Sequence, residues 1–233
     1  MRLPTLTQAT LICRPNRFGA WARAGDSRLY LHVPNSGRLP ELMAPGARLL
    51  WHPRPAPDRK TAGDVVLVRH GAVWVCVDAR LPPRLLCEAL QAPDGLAPFG
   101  RCAEAVFEPS LGAGRADLVI RCGRRRFIVE TKSATLSRGG LAMFPDAPTD
   151  RGRRHLAELT ALAYRAASLR PVVAFICARP DVRAFSPDRA ADPAFAEALQ
   201  AAHRAGVIVV AYRCAVSRSH VAVVNRIPVR LHP

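Results

Sequence analysis

The chain has 233 residues, of which 49% are hydrophobic, and its formal net charge is +16. This composition excludes global disorder, and the length fits one large or two small domains. The excess of positive charge predicts a polyanionic partner, either nucleic acid or an anionic membrane surface.

The cysteines and the apolar segments narrow the class of protein further. Seven cysteines are scattered along the chain without a CxxC pair or a Cys/His cluster, which argues against a zinc site. Their odd number and apolar surroundings predict reduced thiols in a cytoplasmic protein. The N-terminus has no signal-peptide pattern, and no apolar stretch approaches the roughly 20 residues that span a bilayer. We therefore expect no membrane association.

The first third of the chain predicts a small β-barrel or sandwich. Short apolar runs separated by turn residues predict strands over 7–13, 18–23, 28–33, 47–51, 65–69 and 72–77. A proline-rich basic loop over 52–60 interrupts them and ends at Lys60. Such an exposed loop suits contacts with phosphate groups, although most loops of this kind are simply solvated.

Residues 33–46 predict a turn followed by a short helical patch. The backbone N–H groups of Asn35, Ser36 and Gly37 can bind an anion in such a turn, with Arg38 beside them. The alternative interpretation is a turn that caps the helical patch and binds nothing.

From about residue 81 the pattern changes, because helices begin to alternate with strands. Helices are predicted over 82–92, 150–169 and 193–206, and strands over 101–107, 171–178, 207–214 and 220–224. Apolar strands that alternate with helices predict a mixed sheet with crossover connections.

A hairpin over 114–136 carries the most informative polar residues. Gly123 occupies the first central position of a two-residue loop, as a type II′ turn requires. If Cys122 faces Arg125, counting outwards places Asp117 opposite Glu130, with Cβ atoms roughly 4.5–5.5 Å apart. The register therefore predicts two adjacent carboxylates on neighbouring strands.

Adjacent carboxylates repel each other, and a divalent cation between them reverses this repulsion. Mg²⁺ prefers one or two carboxylates together with waters and substrate phosphate. Lys132 shares a strand face with Glu130, and only it and Lys60 are lysines among 34 basic residues. A lysine amine is a compact charge whose pKa responds to burial. The alternative interpretation is an ordinary ion pair between Glu130 and Lys132.

A further polar cluster lies at the start of the helix predicted from residue 150. Thr149 is the predicted N-cap of this helix. Four basic residues crowd its first turns: Arg151, Arg153, Arg154 and His155. Cations oppose the helix dipole there, so helix stability does not explain them. Contact with phosphate groups does, and the alternative is a solvated basic face.

In this order the elements resemble the core of the PD-(D/E)xK nucleases. The motifs PNSGRLPELMAPG, GRADL, ETKSATL, FPDAPTDRGRRHLAEL and GVIVVAYRC further resemble the sugar fermentation stimulation protein family, SfsA, along essentially the whole chain. The resemblance implies an N-terminal OB-fold over 1–80 and a PD-(D/E)xK nuclease-like domain over 81–233. The expected fold class is therefore α+β or α/β, with a β-barrel followed by a mixed sheet flanked by helices.

The resemblance also implies roles for individual residues. Asp117, Glu130 and Lys132 match the catalytic positions, and Asp117 and Glu130 would hold Mg²⁺ or Mn²⁺. Glu88 or Glu104 would be an additional metal ligand, and the motifs leave open which of the two. The residues expected to contact nucleic acid are Arg38, Lys60, Arg115, Arg151, Arg154 and His155.

The chain departs from the family pattern at Gly114, which replaces a serine, and at Leu118, which replaces a phenylalanine. Neither change removes a metal-ligating group. The implied activity is metal-dependent hydrolysis of DNA or RNA with little sequence specificity. The alternative is a non-catalytic DNA-binding regulator of sugar metabolism on a nuclease scaffold. The sequence leaves monomer and homodimer equally open.

Overall fold

The computed structural model describes residues 1–102, 104–111, 114–165 and 168–231, without the side chains of residues 110, 111, 114 and 115. None of the helices in these ranges has both the length and the apolar character needed to cross a membrane.

The N-terminal part is a five-stranded barrel with one added strand. Its strands are β1 (Thr7–Asn16), β2 (Gly19–Ala24), β3 (Ser27–His32), β4 (Arg48–Pro53), β5 (Gly63–His70) and β6 (Val73–Cys76). They are ordered β3-β2-β1-β4-β5-β6, and a parallel pairing of His32 with Asp64 joins β3 to β5 and closes the barrel. All six strands match predicted runs, and apolar side chains such as Leu31, Val65 and Val75 fill the interior.

The helical patch predicted within 33–46 is wrong. This segment forms turns, in which the N–H groups of Leu42 and Met43 both donate to the carbonyl of Leu39. Pro40 and Pro45 bracket the turn, and proline supplies no N–H to continue a helix. Leu39, Leu42 and Met43 are buried against the barrel core.

The second part is a six-stranded mixed sheet with helices on both faces. Its helices are α1 (Pro82–Gln91), α2 (Asp150–Arg165) and α3 (Pro193–Arg204). Its sheet strands are β7 (Glu104–Phe107), β10 (Leu118–Cys122), β11 (Arg125–Ser133), β14 (Leu169–Cys177), β16 (Ile208–Val216) and β17 (Val221–Ile227). They are ordered β17-β16-β14-β11-β10-β7, with β11, β14 and β16 parallel.

Alternation along β11 directs its side chains to two separate cores. Phe127 and Val129 pack against α1 on one face, whereas Ile128 packs against α2 and α3 on the other. Glu130 and Lys132 follow Ile128 at period two, so they lie under α2. The predicted shared face of Glu130 and Lys132 is therefore confirmed.

Two smaller sheets were not predicted. One contains β8 (Ser110–Leu111) and β9 (Gly114–Arg115), and the other contains β12 (Leu136–Arg138), β13 (Leu141–Phe144) and β15 (Ala184–Pro187). Helix α2 is also shorter than predicted, because Leu169 already belongs to β14.

The expectation that all cysteines are reduced is wrong, because Cys102 and Cys122 form a disulfide. Cys122 ends β10 and Cys102 lies just before β7, and these two strands pair side by side. Cys76, Cys87, Cys177 and Cys214 are buried free thiols, and Cys13 is an exposed one.

Candidate active site

The hairpin of β10 and β11 has the register that its turn predicts. Cys122 pairs with Arg125 and Leu118 pairs with Val129. Gly123 has a φ of 62°, in the left-handed region that a type II′ turn requires at this position. Because Asp117 directly precedes Leu118, its carboxylate lies beside Glu130 at the end of the ladder.

Asp117 is held by the strand that it faces. Its Oδ2 accepts hydrogen bonds from the backbone N–H of Thr131 (2.7 Å) and from the Thr131 hydroxyl (2.6 Å). Burial and, next, the charge of Glu130 raise the pKa of Asp117, and the Thr131 hydrogen bonds and Lys132 oppose this only in part. The folded protein therefore disfavours the ionised form of Asp117.

Glu130 is only 6% exposed, and two basic side chains contact one of its oxygens. Its Oε1 accepts from the Lys132 Nζ at 2.6 Å and from the His155 Nδ1. Burial alone would raise the pKa of Glu130, but hydrogen bonds from His155 and Lys132 and their charges hold it below its ordinary value. Glu130 is thus kept ionised beside an unfavourably ionised Asp117.

Helix α2 brings His155 to this site. Thr149 caps the helix as predicted, since its Oγ1 accepts from the N–H of Gly152 at 3.1 Å. The Nε of Arg151 donates to the Nε2 of His155 at 3.3 Å. His155 therefore contacts Arg151 through Nε2 and Glu130 through Nδ1, and these two contacts fix the orientation of its ring.

Apart from His155, these residues line a cleft between the barrel and the second part of the chain. The cleft has a volume of about 460 Å³, and Asp117, Glu130, Lys132 and Arg151 form one wall. The barrel contributes a segment from Asn35 to Gly37, and the linking residue Arg80 and the strand-end residue Glu108 also line it.

The donor atoms in this cleft fit a hard divalent cation. Within the described residues, one oxygen of Asp117 and one of Glu130 have no hydrogen-bond partner, and the Ser133 Oγ is buried without one. The carboxylate pair is the donor set that Mg²⁺ or Mn²⁺ takes together with waters and phosphate oxygens. No group of three or more His, Cys, Asp or Glu side chains forms a metal cage among the residues that the structure describes.

Glu88 and Glu104, the expected additional ligands, lie elsewhere. Glu88 is 57% exposed and bonds to the amino group of Met1 at 2.7 Å. Glu104 forms an ion pair with Arg121, three residues from Phe107, which pairs with Leu118. The position beside Asp117 is residue 108, four residues beyond Glu104, so at 3.4 Å per residue Glu104 lies about 14 Å along the strand from it.

The residues expected to contact nucleic acid divide into two groups. Arg151 lines the cleft, whereas His155 contacts the cleft residue Glu130 and is not free to meet a flanking phosphate. Arg38, Lys60 and Arg154 are exposed and do not line the cleft, and Arg154 pairs with Glu158 at 3.7 Å. The Arg115 side chain lies outside the described residues.

The predicted anion-binding turn is used within the protein. The N–H of Gly37 donates to the Oδ1 of Asn35 (2.8 Å), and the N–H of Leu39 donates to the Oδ2 of Asp146 (2.7 Å). The segment is therefore a turn, but it caps no helix, and the anion that meets it is a carboxylate from the second part of the chain.

Glu108 and Arg80 were missed by the sequence analysis. Glu108 lines the cleft, and its N–H donates to the carbonyl of Asp117 at 3.0 Å. A signal was present, because extending the strand over 101–107 antiparallel to the hairpin places residue 108 next to Asp117. Arg80 had no such signal, since its position depends on how the two parts of the chain pack.

Comparisons with known proteins agree with this architecture. A family model described as the SfsA N-terminal OB domain matches residues 12–77, and one described as the sugar fermentation stimulation protein RE domain matches residues 80–220. Among curated relatives, a sugar fermentation stimulation protein homolog of Moorella thermoacetica is 42% identical over 231 residues, covering 97% of each chain. A homolog of Alkaliphilus metalliredigens is 38% identical over 212 residues, covering 90% of each chain.

A solved structure has the same fold along its whole length. The Pyrococcus furiosus SfsA structure, in complex with Ca²⁺, is 31% identical and has a TM-score of 0.86, covering 99% of this chain and 98% of that one. The barrel is accordingly an OB-like domain, and the expected fold class is confirmed. This chain belongs to the sugar fermentation stimulation protein family.

Proposed function

We propose that this protein is a metal-dependent nuclease that hydrolyses phosphodiester bonds in DNA or RNA. The observation that carries the proposal is the juxtaposition of Asp117, Glu130 and Lys132 at the end of one hairpin, facing a cleft. Asp117 is unfavourably ionised there, and a bound cation would remove this penalty.

The solved relative supports the choice of cation. That structure is a complex with Ca²⁺, and Ca²⁺ and Mg²⁺ both take oxygen ligands. In this chain Asp117 and Glu130 would hold Mg²⁺ or Mn²⁺, with waters and the substrate phosphate completing the shell. Such a metal polarises a phosphoryl oxygen and lowers the pKa of a bound water.

The chain's own residues would position the reacting groups. Lys132 would orient the attacking water or donate to a phosphate oxygen on which charge develops. His155 holds Glu130 in place through the hydrogen bond described above, so we assign it a positioning role. Arg151, exposed at the cleft wall, would bind the substrate backbone.

The overall charge supports a nucleic-acid substrate. A net charge of +16 attracts the phosphate backbone, and contacts of this kind carry little sequence information. We therefore expect binding that weakens steeply with salt and cleavage with little sequence preference.

One observation favours a second candidate, a DNA-binding regulator without catalysis. Lys132 and His155 both contact the same Glu130 oxygen, and no third carboxylate completes a metal cage within the described residues. In that case the carboxylates would be structural, or would bind metal without turnover.

A cleavage assay distinguishes the two candidates. Single-stranded DNA, duplex DNA and RNA are incubated with Mn²⁺, Mg²⁺ or EDTA, using the wild type, Lys132→Ala and Asp117→Asn. Cutting that requires metal and disappears in both variants, while binding in EDTA is retained, supports the nuclease. Binding without cutting on every substrate would refute it and leave the regulator.

A further inference from the structure

A second, larger cavity adjoins the candidate active site. It has a volume of about 890 Å³ and lies between the barrel and the second part of the chain. Four residues line both cavities: Arg80, Pro83, Glu108 and Asp117. Asp117 therefore borders both cavities.

The wall of this cavity carries charged groups of both signs, with four arginines (Arg2, Arg54, Arg80 and Arg84) and four acidic residues (Asp64, Asp78, Glu108 and Asp117). Asp64, only 2% exposed, pairs with Arg54, Arg59 and Arg80, and Asp78 also pairs with Arg80. Of these three arginines, Arg54 and Arg80 line the cavity. Arg54 and Arg80 remain 51% and 49% exposed, so their guanidinium groups are held in place yet accessible.

Two further arginines in the wall are free to bind an anion. Arg2 and Arg84 line the cavity and are exposed, and neither side chain forms an ion pair or a hydrogen bond within the described residues. Arginine presents a planar set of donors that matches phosphate geometry. The lining of the cavity therefore includes two accessible phosphate-binding groups, Arg2 and Arg84.

An exposed aromatic ring stands at the junction of the two cavities. Phe107 is 47% exposed, lines the larger cavity and precedes Glu108 at the end of β7. A half-exposed phenylalanine gains little from packing at this position. Nucleobases stack on such rings, and this stacking is nearly independent of base identity.

We infer that the larger cavity binds a single-stranded segment of the nucleic acid, with Phe107 stacking on an unpaired base and Arg2 and Arg84 contacting phosphates. The inference rests on the proposed function and adds the form of the substrate. Bases in a duplex are already stacked inside the helix and cannot reach Phe107. The cavity also falls within the about 300–1,000 Å³ range of small-ligand sites, which suits a few nucleotides of one strand.

Binding measured in EDTA separates this inference from catalysis. Fluorescence anisotropy with a short labelled single-stranded oligonucleotide is compared for the wild type, Phe107→Ala, Phe107→Trp and Arg84→Ala. Three control variants alter exposed residues outside both cavities: Val106→Ala on the same strand, Tyr164→Ala on α2 and Arg204→Ala on α3.

We expect Phe107→Ala to weaken single-strand binding at least about fivefold, as loss of one stacked base does, and Phe107→Trp to restore it. Arg84→Ala should reduce the slope of log affinity against log salt by about 0.7. The three controls should leave binding unchanged, and blunt duplex binding should not respond to Phe107→Ala.

Two results would overturn the inference and leave the proposed function intact. One is single-strand binding that neither Phe107→Ala nor Arg84→Ala changes. The other is equal loss of duplex and single-strand binding in Phe107→Ala. A wild-type protein that binds no nucleic acid at all would overturn the proposed function as well.

Discussion

Replacement of Asp117 by asparagine should stabilise the metal-free protein although it removes a candidate catalytic group. Asparagine keeps an oxygen that can accept both hydrogen bonds from Thr131, at 2.7 and 2.6 Å. Hydrogen bonds to a charged acceptor are worth about 1.5–3 kcal/mol and those to a neutral one about 0.5–1.5. The two weakened bonds therefore cost about 2–3 kcal/mol together.

Removing the charge of Asp117 stabilises the folded protein by more than this cost. The penalty for burying an ion, several kcal/mol, disappears, and so does the repulsion from Glu130. The raised pKa of Asp117 gives the sign of the balance, since it means that the folded state disfavours the ionised form. We expect a net gain on the order of 1 kcal/mol, which raises the Tm by about 2–4 °C in a chain of this size.

Thermal unfolding in EDTA tests this expectation, with Asp58→Asn in the exposed loop as the matched control. A carboxyl whose folded pKa is raised destabilises the protein at high pH, and the penalty is lost as the pH falls through that pKa. The advantage of Asp117→Asn should therefore shrink on acidification. With Mn²⁺ at about 100 times its Kd, the wild type should gain about 2.7 kcal/mol and become the more stable protein.

The reasoning fails if Asp117→Asn melts below the wild type at neutral pH in EDTA. It also fails if the difference in Tm is independent of pH, because the gain would then have a cause other than the charge. Equal stabilisation of both proteins by Mn²⁺ would show that Asp117 is not a metal ligand.

Three further predictions concern the same regions. Thr131→Val removes the hydroxyl that donates to Asp117 and should move the acidic limb of the pH–rate profile of cleavage to higher pH, whereas Thr131→Ser should not. Arg179 is 1% exposed and bonds to Glu41 at 2.6 Å. Arg179→Met should therefore lower the free energy of unfolding by about 3 kcal/mol and the Tm by about 6–12 °C. A fall in Tm below about 2 °C would contradict this. Burial opposes ionisation of Asp64, but hydrogen bonds from arginines and a histidine lower its pKa to about 2. Its stabilisation of about 2 kcal/mol is present above about pH 4 and lost as the pH falls towards 2, so the loss of Tm in Asp64→Asn should disappear in acid.

The hairpin could be predicted because local chemistry determines it. A two-residue loop with glycine at its first position leaves one register, and this register brings Asp117 to Glu130. His155 could be identified as polar but not placed, because its contact with Glu130 depends on how α2 packs over β11. Motif resemblance placed Glu88 and Glu104 near the metal, whereas the structure gives them other partners.

The small sheet of β12, β13 and β15 could not be predicted from the sequence either. Its strands have only three or four residues, and β13 pairs in parallel with β15 some forty positions later in the chain. Neither the spacing of apolar residues nor the turn residues indicate such a pairing, because its stability comes from packing between distant segments.

The attachment of the barrel to the second part of the chain bears directly on function. Asp146, from the motif that also supplies the cap of α2, accepts from the N–H of Leu39 in the barrel segment. Gly37 approaches the same carboxylate so closely that a Cβ would lie 2.8 Å from its Oδ2. This contact fixes one wall of the cleft against the other. Arg179 makes a second such bridge, since it reaches both Glu41 and Asp181.

These bridges decide between two ways in which an OB-like barrel could serve a nuclease. A barrel on a flexible linker would raise the local concentration of substrate without shaping the active site. Here the barrel supplies residues to both cavities, and Arg80 in the connecting segment lines both as well. Loosening the barrel should therefore impair the chemical step together with binding. Gly37→Ala, which crowds Asp146, should lower kcat more than Arg23→Ala, an exposed barrel position that lines neither cavity.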